Sequence, residues 1–145
     1  MSQEQRYIIE RIESKNKFMA LCFFKDEVYN QLNEQQEVQP VERVLMDSDH
    51  KQLIYVIEID GQWQYIRFPL SLWRTIDGVL VGEQDVFLVL SVTEDGSPYR
   101  SIPLKKFHDE CVELIRNMRG NANYGEDMAD LVEEHFSQTI STLLS

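Results

Sequence analysis

Residues 53–68 read Leu-Ile-Tyr-Val-Ile-Glu-Ile-Asp-Gly-Gln-Trp-Gln-Tyr-Ile-Arg-Phe. Two runs rich in β-branched and aromatic residues flank Asp60-Gly61, a pair suited to a two-residue turn with positive φ at both positions. Such a turn fixes the register: Ile59 faces Gln62, Glu58 faces Trp63, Val56 faces Tyr65 and Ile54 faces Arg67. Side chains alternate along a strand. Ile54, Val56, Glu58, Trp63, Tyr65 and Arg67 therefore share one face. Leu53, Tyr55, Ile57, Ile59, Ile66 and Phe68 share the other, which is more apolar and is expected to face the core.

On the C-terminal side, Pro69 suits the first turn of a helix. Leu72, Trp73, Ile76, Val79 and Leu80 recur at helical spacing. Val86–Val92 reads as a buried strand, and Thr93–Arg100 as a loop carrying a second Asp-Gly pair. Leu104, Phe107, Cys111, Ile115 and Met118 form one helical stripe that Gly120 stops. Met128, Leu131, Val132, His135, Phe136, Ile140 and Leu143 form the next. On the N-terminal side, Tyr7–Glu13 and Phe18–Phe24 read as strands, and Asp26–Gln39 as a short helix ended by Pro40. The expected fold is α+β: one domain over residues 1–145, an antiparallel sheet of about five strands, and a C-terminal helical hairpin packed on it.

The chain has 145 residues with a formal net charge of −11. Nine acids against two bases lie between Asp26 and Asp60. Phosphate binding rests on Lys and Arg, so nucleic acid and anionic membranes are not expected partners. The N-terminal residues hold no apolar run of signal-peptide type, and no segment approaches the ~20 apolar residues of a membrane span. Cys22 and Cys111 are too few for a disulfide framework. They read as buried thiols in a cytoplasmic protein.

Four groups of residues invite a functional reading. Arg116 and Arg119 stand one turn apart at a helix end, followed by Asn121, Asn123 and Tyr124 in a loop bounded by glycines. That set suits a small anion. The same residues also read as helix caps, with Asn123 and Glu126 forming a capping box. Asp47 and Asp49 precede a strand and read as a turn whose carboxylates bond nearby backbone; the alternative is a looser oxygen-ligand cation site. The calcium-loop template fails, because Gln52 stands where it needs glycine. His108 and Cys111 have zinc-ligand spacing but no second pair to complete a site. Last, Val56, Glu58, Trp63, Tyr65 and Arg67 form a partner-binding face if no helix covers them.

No nucleophile elbow and no glycine-rich phosphate loop occurs. The expectation is a binding or regulatory protein rather than an enzyme. It has no cofactor, and its partner is another protein or a second copy of itself. The alternative is a small enzyme or ligand-binding domain using the loop at 120–126.

Three blocks carry a family resemblance: Leu45-Met46-Asp47-Ser48-Asp49-His50; the hairpin running into Ile66-Arg67-Phe68-Pro69 and Trp73; and Gly120-Asn121-Ala122-Asn123-Tyr124-Gly125 with the helix ending at Phe136. Over roughly residues 44 to 136 the chain resembles the YjbL-like proteins, an uncharacterised family of low-GC Gram-positive bacteria. The resemblance implies a bacterial cytoplasmic protein and no particular chemistry.

Overall fold

The computed structural model describes residues 5–32 and 34–144. The 53–68 hairpin forms as its sequence dictates. Strands β4 (Gln52–Ile59) and β5 (Gln62–Pro69) pair antiparallel in the expected register, from Ile59 with Gln62 to Ile54 with Arg67. Asp60 and Gly61 take φ of 50° and 82°, the values that a type I′ turn demands.

The sheet is larger than expected and mixed. β1 (Tyr7–Asn16), β2 (Met19–Phe24), β3 (Val38–Asp47), β6 (Asp85–Val92) and β7 (Pro98–Pro103) complete seven strands in the order β3-β4-β5-β1-β2-β6-β7. The β1–β2 hairpin lies in the middle of the sheet, parallel to β5 on one side and to β6 on the other. All other neighbours are antiparallel. The sheet curls, bringing its edge strands β3 and β7 towards each other. Arg100 on β7 donates to the carbonyls of Glu34 and Gln36 (3.1 and 3.0 Å), tying the segment before β3 to that edge.

Two strands were not expected. The helix foreseen over Asp26–Gln39 shrinks to α1 (Asp26–Tyr29), and β3 runs straight through Pro40. Proline is tolerated there because β3 is an edge strand, and its pairing with β4 is irregular between Pro40 and Val44. β7 replaces part of the loop foreseen over Thr93–Arg100.

The helices α2 (Trp73–Val81), α3 (Phe107–Met118), α4 (Glu126–His135) and α5 (Ser137–Leu143) pack together rather than as a single hairpin. Tyr55 and Phe68 of the sheet meet Phe107 of α3 at 6.1 and 5.5 Å between ring centroids. The fully buried Trp73 stacks on Phe136 and donates its indole N–H to the Phe68 carbonyl at 3.2 Å. The expected core face of the hairpin is buried throughout.

One helix was expected where α4 and α5 now stand. The chain turns at Phe136, which is buried against Trp73. The new N-terminus is capped from outside the helix. Buried Asp77 of α2 accepts from the Thr139 N–H (2.8 Å), the Thr139 hydroxyl (2.7 Å) and the Gln138 N–H (3.3 Å).

Candidate functional site

The opposite face of the β4–β5 hairpin carries no helix among the described residues. The helix with Trp73 packs on the core side. Trp63 is 50% exposed, Tyr65 39% and Leu45, the β3 neighbour of Ile54, 37%. Ile54 and Val56 are nevertheless buried. The reason lies in two arginines that cross β4 in opposite directions. Arg67 of β5 reaches Asp47 of β3 and Gln52 of β4, each at 2.9 Å. Arg43 of β3 reaches the Trp63 ring of β5, its guanidinium carbon 5.6 Å from the centroid. Arg67 also stands 5.9 Å from the Tyr65 centroid. These separations are within cation–π range. The two long side chains roof the short apolar residues of the central strand and leave the aromatic rings at the surface.

Sequence reading found Val56, Glu58, Trp63, Tyr65 and Arg67 on this face. It missed Arg43 and Leu45, which can be placed there only once β3 is recognised as a strand. Arg43 is exposed, Glu58 is half-buried, and neither makes an ion pair among the described residues. Arg67 is neutralised by Asp47 at 2.9 Å.

Asp47 is held in place by a network. Besides Arg67, its carboxylate accepts from the His50 N–H at 3.2 Å and contacts His50 Nδ1 at 2.9 Å. Partial burial pushes its carboxyl up. The hydrogen bonds from Arg67 and His50 together outweigh that and hold it below the usual carboxylate range. Asp49 is exposed and does not join the network. Among the described residues no three His, Cys, Asp or Glu side chains come together to hold a metal. His108 Nε2 donates to the Leu80 carbonyl at 3.0 Å, an oxygen that can only accept, so Nε2 carries the proton. Cys111 and Cys22 are fully buried free thiols, and burial pushes both well up from the ordinary value.

Around the loop at 120–126, Arg116, Arg119 and Asn121 each already hold a partner. Arg116 pairs with Glu113 and Arg119 with Glu133 of α4 (2.9 Å). Asn121 turns back on the chain: Oδ1 accepts from the Asn123 N–H (3.0 Å) and Nδ2 donates to the Asn117 carbonyl (3.2 Å). Tyr124 packs against the core. The expected capping box does not form. A short 3-10 turn, Ala122–Tyr124, is capped by Asn121, and Gly125 at φ +103° takes the N-cap position of α4. Glu126 is therefore the first helical residue rather than the third.

Clefts lie elsewhere among the described residues. One of about 480 Å³ sits between the β3–β4 turn and α4, lined by Lys51, Leu70, Asp127, Asp130, Leu131 and Glu134. It adjoins the Asp47 turn but is lined by none of Arg116, Arg119, Asn121, Asn123 and Tyr124. Another of about 510 Å³ opens beside the start of α3. Its buried Gln84 is engaged by Ser14 and the Asn16 carbonyl, and its Lys106 lies 3.7 Å from Glu42.

No helix among the described residues is long and apolar enough to cross a membrane. Comparison with known proteins gives one consistent family. A family described as "Family of unknown function (UPF0738)" matches residues 7–136. A UPF0738 protein of Bacillus licheniformis is 35% identical over 107 residues, covering 74% of this chain and 83% of the relative. One of Geobacillus kaustophilus is 30% identical over 132 residues, covering 91% and 96%. One of Lysinibacillus sphaericus is 29% identical over 122 residues, covering 82% and 91%. No solved structure matches. The match takes in the N-terminal strands, which lay outside the sequence resemblance, and the YjbL-like label has no counterpart in the names of these relatives.

Proposed function

The chain belongs to the UPF0738 family, whose function is unknown, and from that premise we propose that it is a non-enzymatic binding protein that docks a protein partner on the outer face of β3, β4 and β5. The observation that carries this reading is the half-exposed pair Trp63 and Tyr65, on a sheet face that no described helix covers. Large aromatics flanked by arginine are enriched where protein surfaces bind tightly. The chain has a second, fully buried tryptophan at Trp73, so the outer ring is not needed to complete the core. Net charge of −11 opposes a polyanion as the partner. The loop at 120–126 supports a small-ligand site less well, since its arginines already face carboxylates.

The test is affinity capture from an extract of the organism that makes the protein, with the wild type beside a Trp63→Ala, Tyr65→Ala variant. The reading expects a protein retained by the wild type and lost from the variant, with the buried Trp73 emission unchanged as proof of fold. Equal retention by both would contradict it.

A further inference from the structure

The outer face is electrically unlike the rest of the molecule. Of its charged residues, Arg67 and Asp47 neutralise each other. Arg43 and Glu58 remain, one cation and one anion, each without an ion-pair partner among the described residues. The face is therefore neutral on a chain of net charge −11. Both free charges border the same ring: Arg43 lies over Trp63, and Glu58 is its cross-strand partner. A surface that carries an aromatic centre with one free charge of each sign beside it is complementary to itself. An isologous interface requires this, since residue i of one copy meets residue j of the other and j meets i.

We infer that the partner on this face is a second copy of the chain. A two-fold axis beside Trp63 sets Arg43 of each copy against the Glu58 carboxylate of the other and buries Trp63, Tyr65 and Leu45 between the two sheets. A guanidinium laid on an indole keeps its N–H edge free for a carboxylate, which makes Arg43 a preformed half of that pair. Elsewhere the surfaces carry excess negative charge, and two copies repel there. The inference rests on the reading of this face as a docking surface and names what docks.

The experiment is sedimentation equilibrium of the full chain over a wide concentration range, on the wild type, Arg43→Glu, Glu58→Arg and the double charge swap. The expected result is a dimer for the wild type, at least tenfold weaker self-association for each single variant, and recovery in the double swap. Trp63 emission should shift to the blue as the dimer forms, while buried Trp73 stays silent. A wild type that stays monomeric overturns the inference. So does a dimer that both single variants leave intact, because its interface then lies elsewhere. Neither outcome touches docking of a different protein, which the capture experiment decides separately.

Discussion

Asp47 shows how one residue sets the geometry of a face. Its carboxylate anchors Arg67 across the central strand and holds the β3–β4 turn through His50. The turn was legible in the sequence as aspartates bonding nearby backbone, as Asp47 does with the His50 N–H, but the ion pair with Arg67 was not. Pairing with an arginine twenty residues away leaves no local signal. Because its pKa is lowered in the folded state, Asp47 adds stability above the ordinary carboxylate value of about 3.9, and that stability is lost as pH falls through the lowered value. Asp47→Asn should cost about 1 kcal/mol near neutral pH, the scale of a partly exposed ion pair. In urea denaturation the gap between wild type and variant should close below about pH 3.9. A gap that stays constant down to pH 2 would contradict this assignment.

Elements were legible where the signal was local. The β4–β5 hairpin followed from a period of two and an Asp-Gly turn, and its register came out residue by residue. Helix α3 followed from its stripe and Gly120, which takes φ +65° just beyond it. Edge strands were missed because proline argues against a strand: β3 contains Pro40 and β7 is bounded by Pro98 and Pro103. The break between α4 and α5 was missed because its cap comes from α2. A signal for that cap was present, since Asp77 sits four residues after Trp73 on the apolar stripe and a buried carboxylate there needs donors. Asp77→Ala leaves the buried Thr139 N–H and hydroxyl without the carboxylate that accepts from them, while the N–H of exposed Gln138 can turn to water. Each buried unsatisfied group costs roughly 1–3 kcal/mol, so a loss of about 3 kcal/mol is expected by chemical denaturation. A loss below about 0.5 kcal/mol would mean that water or the backbone replaces the cap.

At the scale of the whole molecule, the order of strands was not legible. β1 and β5 pair in parallel across more than fifty residues of chain, and no spacing within either strand announces that. Placing β1–β2 at the centre lets the helices cover one side of the sheet and leaves the far side of β3, β4 and β5 bare of helix among the described residues. The aromatic face was readable from the hairpin alone, but its exposure and its two crossing arginines depend on β3. The central claim is that this face docks protein. Its most direct test is site-specific photo-crosslinking in living cells, with benzoylphenylalanine in place of Trp63 and, as a control, in place of exposed Asp109 on α3. The account predicts a covalent adduct from position 63 and none from position 109, with the adduct at twice the chain's 17.1 kDa if the second copy is the partner. No adduct from position 63, or equal yields from both positions, would contradict it.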